Sequence, residues 1–395
     1  MNTVENLSKE KAYNVISTLR KGTPPEDGVD LYSVGREELL SYFKKKYNEI
    51  KEYGVSDVKF VSADFGYGKS HFLDLLKELA LEQNFVVSKV VLHSRDVPFD
   101  QMNLVIQGMM ANISTLKAKT NGLESLLNEW CEVNRDKSES NLYKSLSDIG
   151  IYPEMRMKLV EYFKSYCYVA GPRYQECLQV LKWFEGRETK TKTFSNVRQY
   201  LHNLILLIRS IDYKGFIVML DEAEAITSLS RINRRDLANE NIRQVIDNDQ
   251  DTKGFYFIMA STPTFLSGED DRGAQSYQAL WRRISDPLQG LNQNSLDKVI
   301  VDLPKLTEDE FFRLAMKIKL LYEVALGKDF SKINENHLRS LAHYVQTRTD
   351  QRVGTMVRST VAILDAATSQ DFDFVKRFEL LVEKAMEQEQ IDRAL

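Results

Sequence analysis

Apolar residues along this chain follow two different periods. Short runs rich in β-branched and aromatic residues occur at 58–61, 86–92, 216–220, 255–259 and 299–303, each of a length suited to a buried strand. Elsewhere apolar residues recur every three or four positions. Phe72, Leu73, Leu75, Leu76, Leu79 and Leu81 follow the first run in this way, and Met102, Val105, Ile106, Met109, Ile113 and Leu116 follow the second. Similar patterns over 123–130, 159–168 and 174–183 predict a helical insertion from about 99 to 202, and the polar, basic stretch GRETKTKTF (186–194) reads as an exposed loop leading back to the sheet. Beyond Pro304 the pattern is wholly helical. Thr307 reads as the cap of one helix, with acidic residues in its first turn, and Arg352 opens another whose Met356, Val357, Val361 and Leu364 face inward. Strand runs alternating with helical segments predict an α/β fold with a five-stranded parallel sheet and helices on both faces. The expected organisation is a core domain over 1–304, including the insertion, and a helical domain over 305–395.

Composition adds limits. At 395 residues the chain exceeds what one hydrophobic core usually supports, and 43% hydrophobic with 28% charged residues is ordinary for a globular protein. No stretch has the eighteen or so apolar residues of a membrane span, and the start MNTVENLSKEK lacks a signal-peptide profile, so a cytoplasmic protein without membrane contact is expected. The three cysteines, Cys131, Cys167 and Cys177, lack C-x-x-C spacing and read as free thiols rather than a zinc site or a disulfide framework. A formal net charge of −4 gives no global signature of nucleic-acid binding, so any DNA contact must come from a local patch such as Arg231, Arg234 and Arg235.

The chemistry concentrates where strands end. SADFGYGKSHF (62–72) matches a phosphate-binding loop, G-x-x-x-x-G-K-[ST], except that Ala63 occupies the first glycine position. Gly66 and Gly68 permit the dihedrals that turn successive N–H groups onto phosphate oxygens, and the following helix adds its positive N-terminal end. Ala63 fits if its φ stays negative. Ala63, Asp64, Phe65, Gly66, Tyr67, Gly68, Lys69, Ser70 and His71 are therefore the expected ATP-binding segment, with Lys69 reaching the terminal phosphates and Ser70 holding Mg2+. GFIVMLDEAEAI (215–226) carries an apolar run into Asp221 and Glu222. Asp221 is the expected second Mg2+ ligand, Glu222 the expected base that polarises water, and Glu224 a weaker alternative. The other role open to Asp221 is a helix cap. In GFYFIMASTPTF (254–265), Ser261 and Thr262 are equal candidates to sense the γ-phosphate, and a turn before Pro263 is the plainer reading. Arg352 is the candidate second sensor, with Arg348 and Arg358 nearby in sequence.

Along the chain the motifs run phosphate loop, acidic strand, sensor strand and final strand, which is the order of the AAA+ arrangement, in which the sensor strand lies between the other two. GTPPEDGVDLYSVGREELL, FVSADFGYGKSHFLDLL, LKWFEGRE, MLDEAEAI with NENIRQVIDN, and MASTPTFL together resemble the BrxD-like P-loop ATPases of bacterial BREX-type phage-defence loci, over about residues 20–370. The resemblance implies an AAA+ ATPase related to origin-recognition initiators, with residues 305–395 as its lid domain. It implies that Gly35 and Arg36, in the Val34-Gly35-Arg36-Glu37 box, lie beside the adenine. It also implies an arginine finger at Arg282 or Arg283 in ALWRRISDP, hence a homo-oligomer, and DNA and a helicase from the same locus as partners. A slowly hydrolysing initiator-like or transposition-type regulator, mainly a partner-binding module, is the alternative.

Overall fold

The computed structural model describes residues 7–25, 27–117, 122–167, 174–185, 194–247, 252–267, 272–285, 296–348, 351–369 and 372–394. The expected loop at 186–194 lies, but for its last residue, outside them. Each of the five apolar runs is a strand, and a short sixth strand joins them. In chain order they are β1 (Asp57–Ser62), β2 (Val86–Val91), β3 (Ile113–Ser114), β4 (Phe216–Asp221), β5 (Phe255–Ser261) and β6 (Ile300–Asp302). The sheet order is β3-β2-β4-β5-β1-β6. The pairs β1/β5, β4/β5 and β2/β4 are parallel. β5, which ends in Ser261, thus lies between β1, which leads into the glycine loop, and β4, which ends in Asp221, the strand order expected from the sequence. Every residue of β4 and of β5 is buried, which explains why these strands read as continuous apolar runs rather than alternating ones.

The sheet is mixed rather than purely parallel, because β3 runs antiparallel to β2 with Val87 opposite Ser114 and Ser88 opposite Ile113. The helical stripe predicted through Leu116 stops early. Its helix ends at Ala111, Asn112 closes it by donating its N–H to the Gly108 carbonyl (3.1 Å), and Leu116 is 53% exposed. A strand of only two residues is too short for any periodicity to announce it.

The helices are α1 (Lys9–Arg20), α2 (Glu37–Tyr53), α3 (Lys69–Glu82), α4 (Met102–Ala111), α5 (Gly122–Val133), α6 (Glu139–Asp148), α7 (Pro153–Cys167), α8 (Tyr174–Phe184) and α9 (Phe194–Arg209). They continue as α10 (Ile232–Ile246), α11 (Pro263–Ser267), α12 (Gln278–Ile284), α13 (Glu308–Leu326), α14 (Glu335–Arg348), α15 (Val353–Ala366) and α16 (Phe374–Ala394). The chain forms two compact units, one of Tyr42–Ser62 and Lys77–Val301, the other of Met1–Ser41, Ala63–Leu76 and Asp302–Leu395.

In the unit that holds β1 to β5, α2 lays Phe43 and Tyr47 against Tyr256 of β5 at ring distances of 6.1 and 5.9 Å. The insertion helices α4 to α9 bury Trp130 and Phe163 edge to face at 6.1 Å. Cys131 and Cys177 are buried there as free thiols, and burial pushes the Cys131 thiol well up. In the other unit, α1 and α13 to α16 share a core of Ile16, Phe311, Tyr322, Leu338 and Met356. Thr307 caps α13 as expected, in a reciprocal box with Glu310, and Gly327 closes the helix at φ 60°.

The start of β4 is held by very close backbone packing. Phe216 donates its N–H to the Gly254 carbonyl at 2.8 Å, and a β-carbon at Gly215 would lie 2.2 Å from that same oxygen. Gly215→Ala should therefore destabilise the protein by about 1–3 kcal/mol, read from the urea midpoint. An unchanged midpoint would show that β4 and β5 can part there at no cost.

Candidate nucleotide site

The chain leaves β1 at Ser62 and makes a turn in which the Tyr67 N–H reaches the Asp64 carbonyl (3.4 Å) before α3 begins at Lys69. Gly66 and Gly68 have φ of 83° and 89°, the left-handed form that glycine adopts without strain. Ala63 is absent from the residues with positive φ, so its β-carbon meets no conformational penalty and it stands as an acceptable substitute for glycine. Lys69 is 7% exposed; its Nζ donates to the Ala63 carbonyl at 2.8 Å and lies 4.7 Å from the centre of the Phe65 ring. Asp64 and Phe65 are exposed at the tip, Tyr67 is buried under the Lys305 ammonium, and Ser70 and His71 lie half-buried in the first turn of α3. A cation at the head of a helix, after two left-handed glycines, fits a phosphate group.

Of the expected pair Gly35 and Arg36, Arg36 reaches this loop, through protein contacts. Arg36 is 5% exposed, and its guanidinium donates to the carbonyls of Pro304 (2.8 Å), Gly35 (3.1 Å) and Tyr67 (3.4 Å). Burial lowers its pKa to about 10, against the opposing pull of Glu310 and Glu37. Gly35 sits at φ 66°, and a β-carbon there would meet the Glu310 carboxylate at 2.5 Å. Beside it, the Tyr32 hydroxyl lies 3.2 Å from His71 Nδ1.

Arg352 is the N-cap of α15, as its predicted place at a helix start required, and makes no side-chain cap bond. The two residues after it reach the phosphate loop: the N–H groups of Val353 and Gly354 donate to the Gly66 carbonyl at 2.9 and 3.4 Å. Nothing in the sequence signalled this contact, since main-chain groups leave no trace in residue identity.

In the sheet unit, Asp221 is the last residue of β4 and is 2% exposed. Its carboxylate accepts the N–H of its own neighbour, Glu222, at 3.0 Å. Glu222 is exposed and held at φ 58°, ψ 44°, a left-handed conformation rare outside glycine and one that recurs where strain serves a site. A 3-10 turn over Ala223–Ser228 follows, with Glu224 half-buried in it. On β5, Ser261 pairs with Ser62 of β1. Its Oγ is buried and has no hydrogen-bond partner among the described residues, an arrangement that calls for a reason in any folded protein. Thr262 opens α11, its carbonyl accepting the Leu266 N–H at 3.3 Å.

The two arginines of α12 differ. Arg283 forms an ion pair with Asp247, which Arg243 also contacts, and donates to the Ala279 carbonyl at 2.7 Å. Arg243 in turn holds Glu240 at 2.5 and 2.7 Å, and the Tyr277 hydroxyl donates to Glu240 at 2.8 Å. Arg243 draws the Glu240 carboxyl down to about 2, and Arg283 draws that of Asp247 below its ordinary value. Arg282 is exposed. Of the basic residues near the acidic strand, Arg234 grips Asp100 with two bonds of 2.6 and 2.9 Å, and Arg235 donates to the Leu229 carbonyl at 2.7 Å; Arg231 is exposed. Their clustering in sequence is therefore largely spent inside the chain.

A family model described as BREX system ATP-binding protein BrxC/D matches residues 7–180 and 144–374. No curated protein matches the chain. Among solved structures, the ORC2 protein of Aeropyrum pernix, in its ADPNP-ADP complexes, is similar over 91% of this chain and 71% of that one, at 13% identity and a TM-score of 0.48. The ADP form of the same protein is similar over 91% and 72%, at 12% identity and a TM-score of 0.45. No helix of the described residues is long and apolar enough to cross a membrane. With a match that reaches most of its length, the chain belongs to the BREX system ATP-binding protein BrxC/D family.

Proposed function

We propose that this protein is a magnesium-dependent AAA+ ATPase that works in the cytoplasm as a nucleotide-dependent switch or loader on DNA, together with a helicase of the same defence locus. The observation that carries the reading is the phosphate loop, with Gly66 and Gly68 left-handed and Lys69 at the head of α3. In this reading the loop amides and Lys69 hold the phosphates, while Ser70 and Asp221 are the Mg2+ ligands. Magnesium supplies charge neutralisation on the phosphate oxygens. Glu222 orients the attacking water, a role typically worth about 10²–10⁴ in rate, and its left-handed backbone supports a carboxylate aimed by strain. Ser261 or Thr262 senses the γ-phosphate; the orphaned Ser261 hydroxyl favours Ser261. Arg352 couples the phosphates to the helices of 305–395, acting as a lid.

The protein acts as a homo-oligomer, in which Arg282 is the finger for a neighbour's nucleotide, because Arg283 is committed to Asp247. Such a finger contributes about 10³–10⁵ in rate. DNA contact through the Arg231 region involves few charges, since Arg234 and Arg235 bond within the chain. The same commitment favours a second reading, a slowly hydrolysing initiator-like or transposition-type regulator that chiefly binds partners.

Lys69→Ala should lose tight ATP binding, whereas Glu222→Gln should bind ATP and fail to hydrolyse it, measured by nucleotide titration and phosphate release with and without duplex DNA. Normal turnover by Glu222→Gln would pass the base role to another carboxylate such as Glu224. Across a protein-concentration series followed by light scattering, Arg282→Ala should lose assembly-dependent hydrolysis at an unchanged thermal midpoint. Arg283→Ala should instead lower the midpoint, by removing one of the two arginines that hold Asp247. Both variants hydrolysing as the wild type does, in an assembled state, would place the finger elsewhere.

A further inference from the structure

A loop that turns its N–H groups toward a phosphate turns its carbonyls toward protein, and buried carbonyls need donors. Here the donors are identifiable. The Ala63 carbonyl takes Lys69 Nζ, the Tyr67 carbonyl takes Arg36 Nη2, and the Gly66 carbonyl takes two backbone N–H groups, from Val353 at 2.9 Å and Gly354 at 3.4 Å. The first N–H groups of any helix have no partner within it. α15 has no side-chain cap bond at Arg352, so the Gly66 carbonyl does that work. The chain reaches this position through Gln351, which is held at φ 59°, a left-handed form unusual for a residue with a side chain.

We propose that the first turn of α15 is a positioning element of the phosphate site: the Val353 and Gly354 N–H groups fix the Gly66 peptide, whose own N–H, that of Tyr67, closes the loop's turn on the Asp64 carbonyl, and so hold the loop in the shape that presents its remaining amides. Nucleotide affinity then depends on the α15 start, and by linkage nucleotide tightens that start in return. Arg36 does the same for the Tyr67 peptide, which makes it a positioning residue rather than an adenine contact. This inference rests on the phosphate-loop reading above.

Proline at 353 is the discriminating change. It removes one N–H at the first helical position, where proline is well tolerated, and Arg352 already has the extended conformation (φ −83°, ψ 134°) that a residue before proline prefers. Val353→Ala trims the side chain to its β-carbon and keeps the N–H. Titration with ATP should show Val353→Pro binding about three- to tenfold more weakly than Val353→Ala, the scale of one lost hydrogen bond. Hydrogen exchange on the wild type supplies a second readout that needs no variant: ATP should slow exchange at the Val353 and Gly354 amides, and Lys69→Ala should abolish that slowing. Equal ATP affinities for the two 353 variants, or an α15 start whose exchange ignores bound ATP, would overturn the inference and leave the phosphate site standing. Failure of the wild type to bind ATP would overturn both.

Discussion

The peptide groups of the phosphate loop set the terms for the elements around it. Each trans peptide group carries its carbonyl and the following N–H on opposite sides, so a loop that offers amides to an anion must settle its carbonyls against protein. Lys69, Arg36 and the start of α15 meet that demand at Ala63, Tyr67 and Gly66. Segments separated by hundreds of residues are thus tied to one short stretch of backbone. The same logic accounts for the burial of Arg36: a guanidinium with several donors in a fixed fork can satisfy the Gly35, Pro304 and Tyr67 carbonyls at once, which offsets the cost of removing its charge from water.

The sheet provides the second constraint. Parallel strands buried on both faces end in register, with Ser62 opposite Ser261 on β1 and β5, and Leu220 opposite Met259 on β4 and β5. Polar residues therefore emerge together at the carboxyl ends of neighbouring strands, where open α/β sheets bind ligands. Close packing at the other end, where Gly215 meets Gly254, keeps that register from slipping. Glu222 departs from strand geometry at once, in a left-handed conformation, which sends the next residues into a 3-10 turn and leaves its side chain exposed.

Charge is used locally in the sheet unit. Arg243 and Arg283 converge on Asp247, and Glu240 gathers Arg243 and Tyr277, so α10 and α12 are joined by a network rather than by isolated pairs. Arg234 with Asp100 ties the start of α10 to the segment after β2. Partly buried networks of this kind hold better than single exposed pairs, whose contribution is usually slight. They also settle which arginines stay available, since an arginine gripping a carboxylate in its own chain is a poor contact for a phosphate outside it.

Local patterning determined much of this protein. The five main strands, the phosphate loop, the acidic pair Asp221-Glu222, the Thr307 cap and the helix opened by Arg352 were all legible, because burial, capping and glycine turns act through residue type at short spacing. The same signals overran at Ile113, where helical spacing continued past Asn112 into a strand too short to have a period. Arg282 and Arg283, or Arg231, Arg234 and Arg235, are equivalent as letters. Only the fold brought Asp247, Asp100 and the Leu229 carbonyl to some of them and left Arg282 and Arg231 exposed. The bonds from Val353 and Gly354 to Gly66 lay wholly beyond reading, because they join main-chain groups that every residue but proline carries, and distance in space alone decides which of them meet.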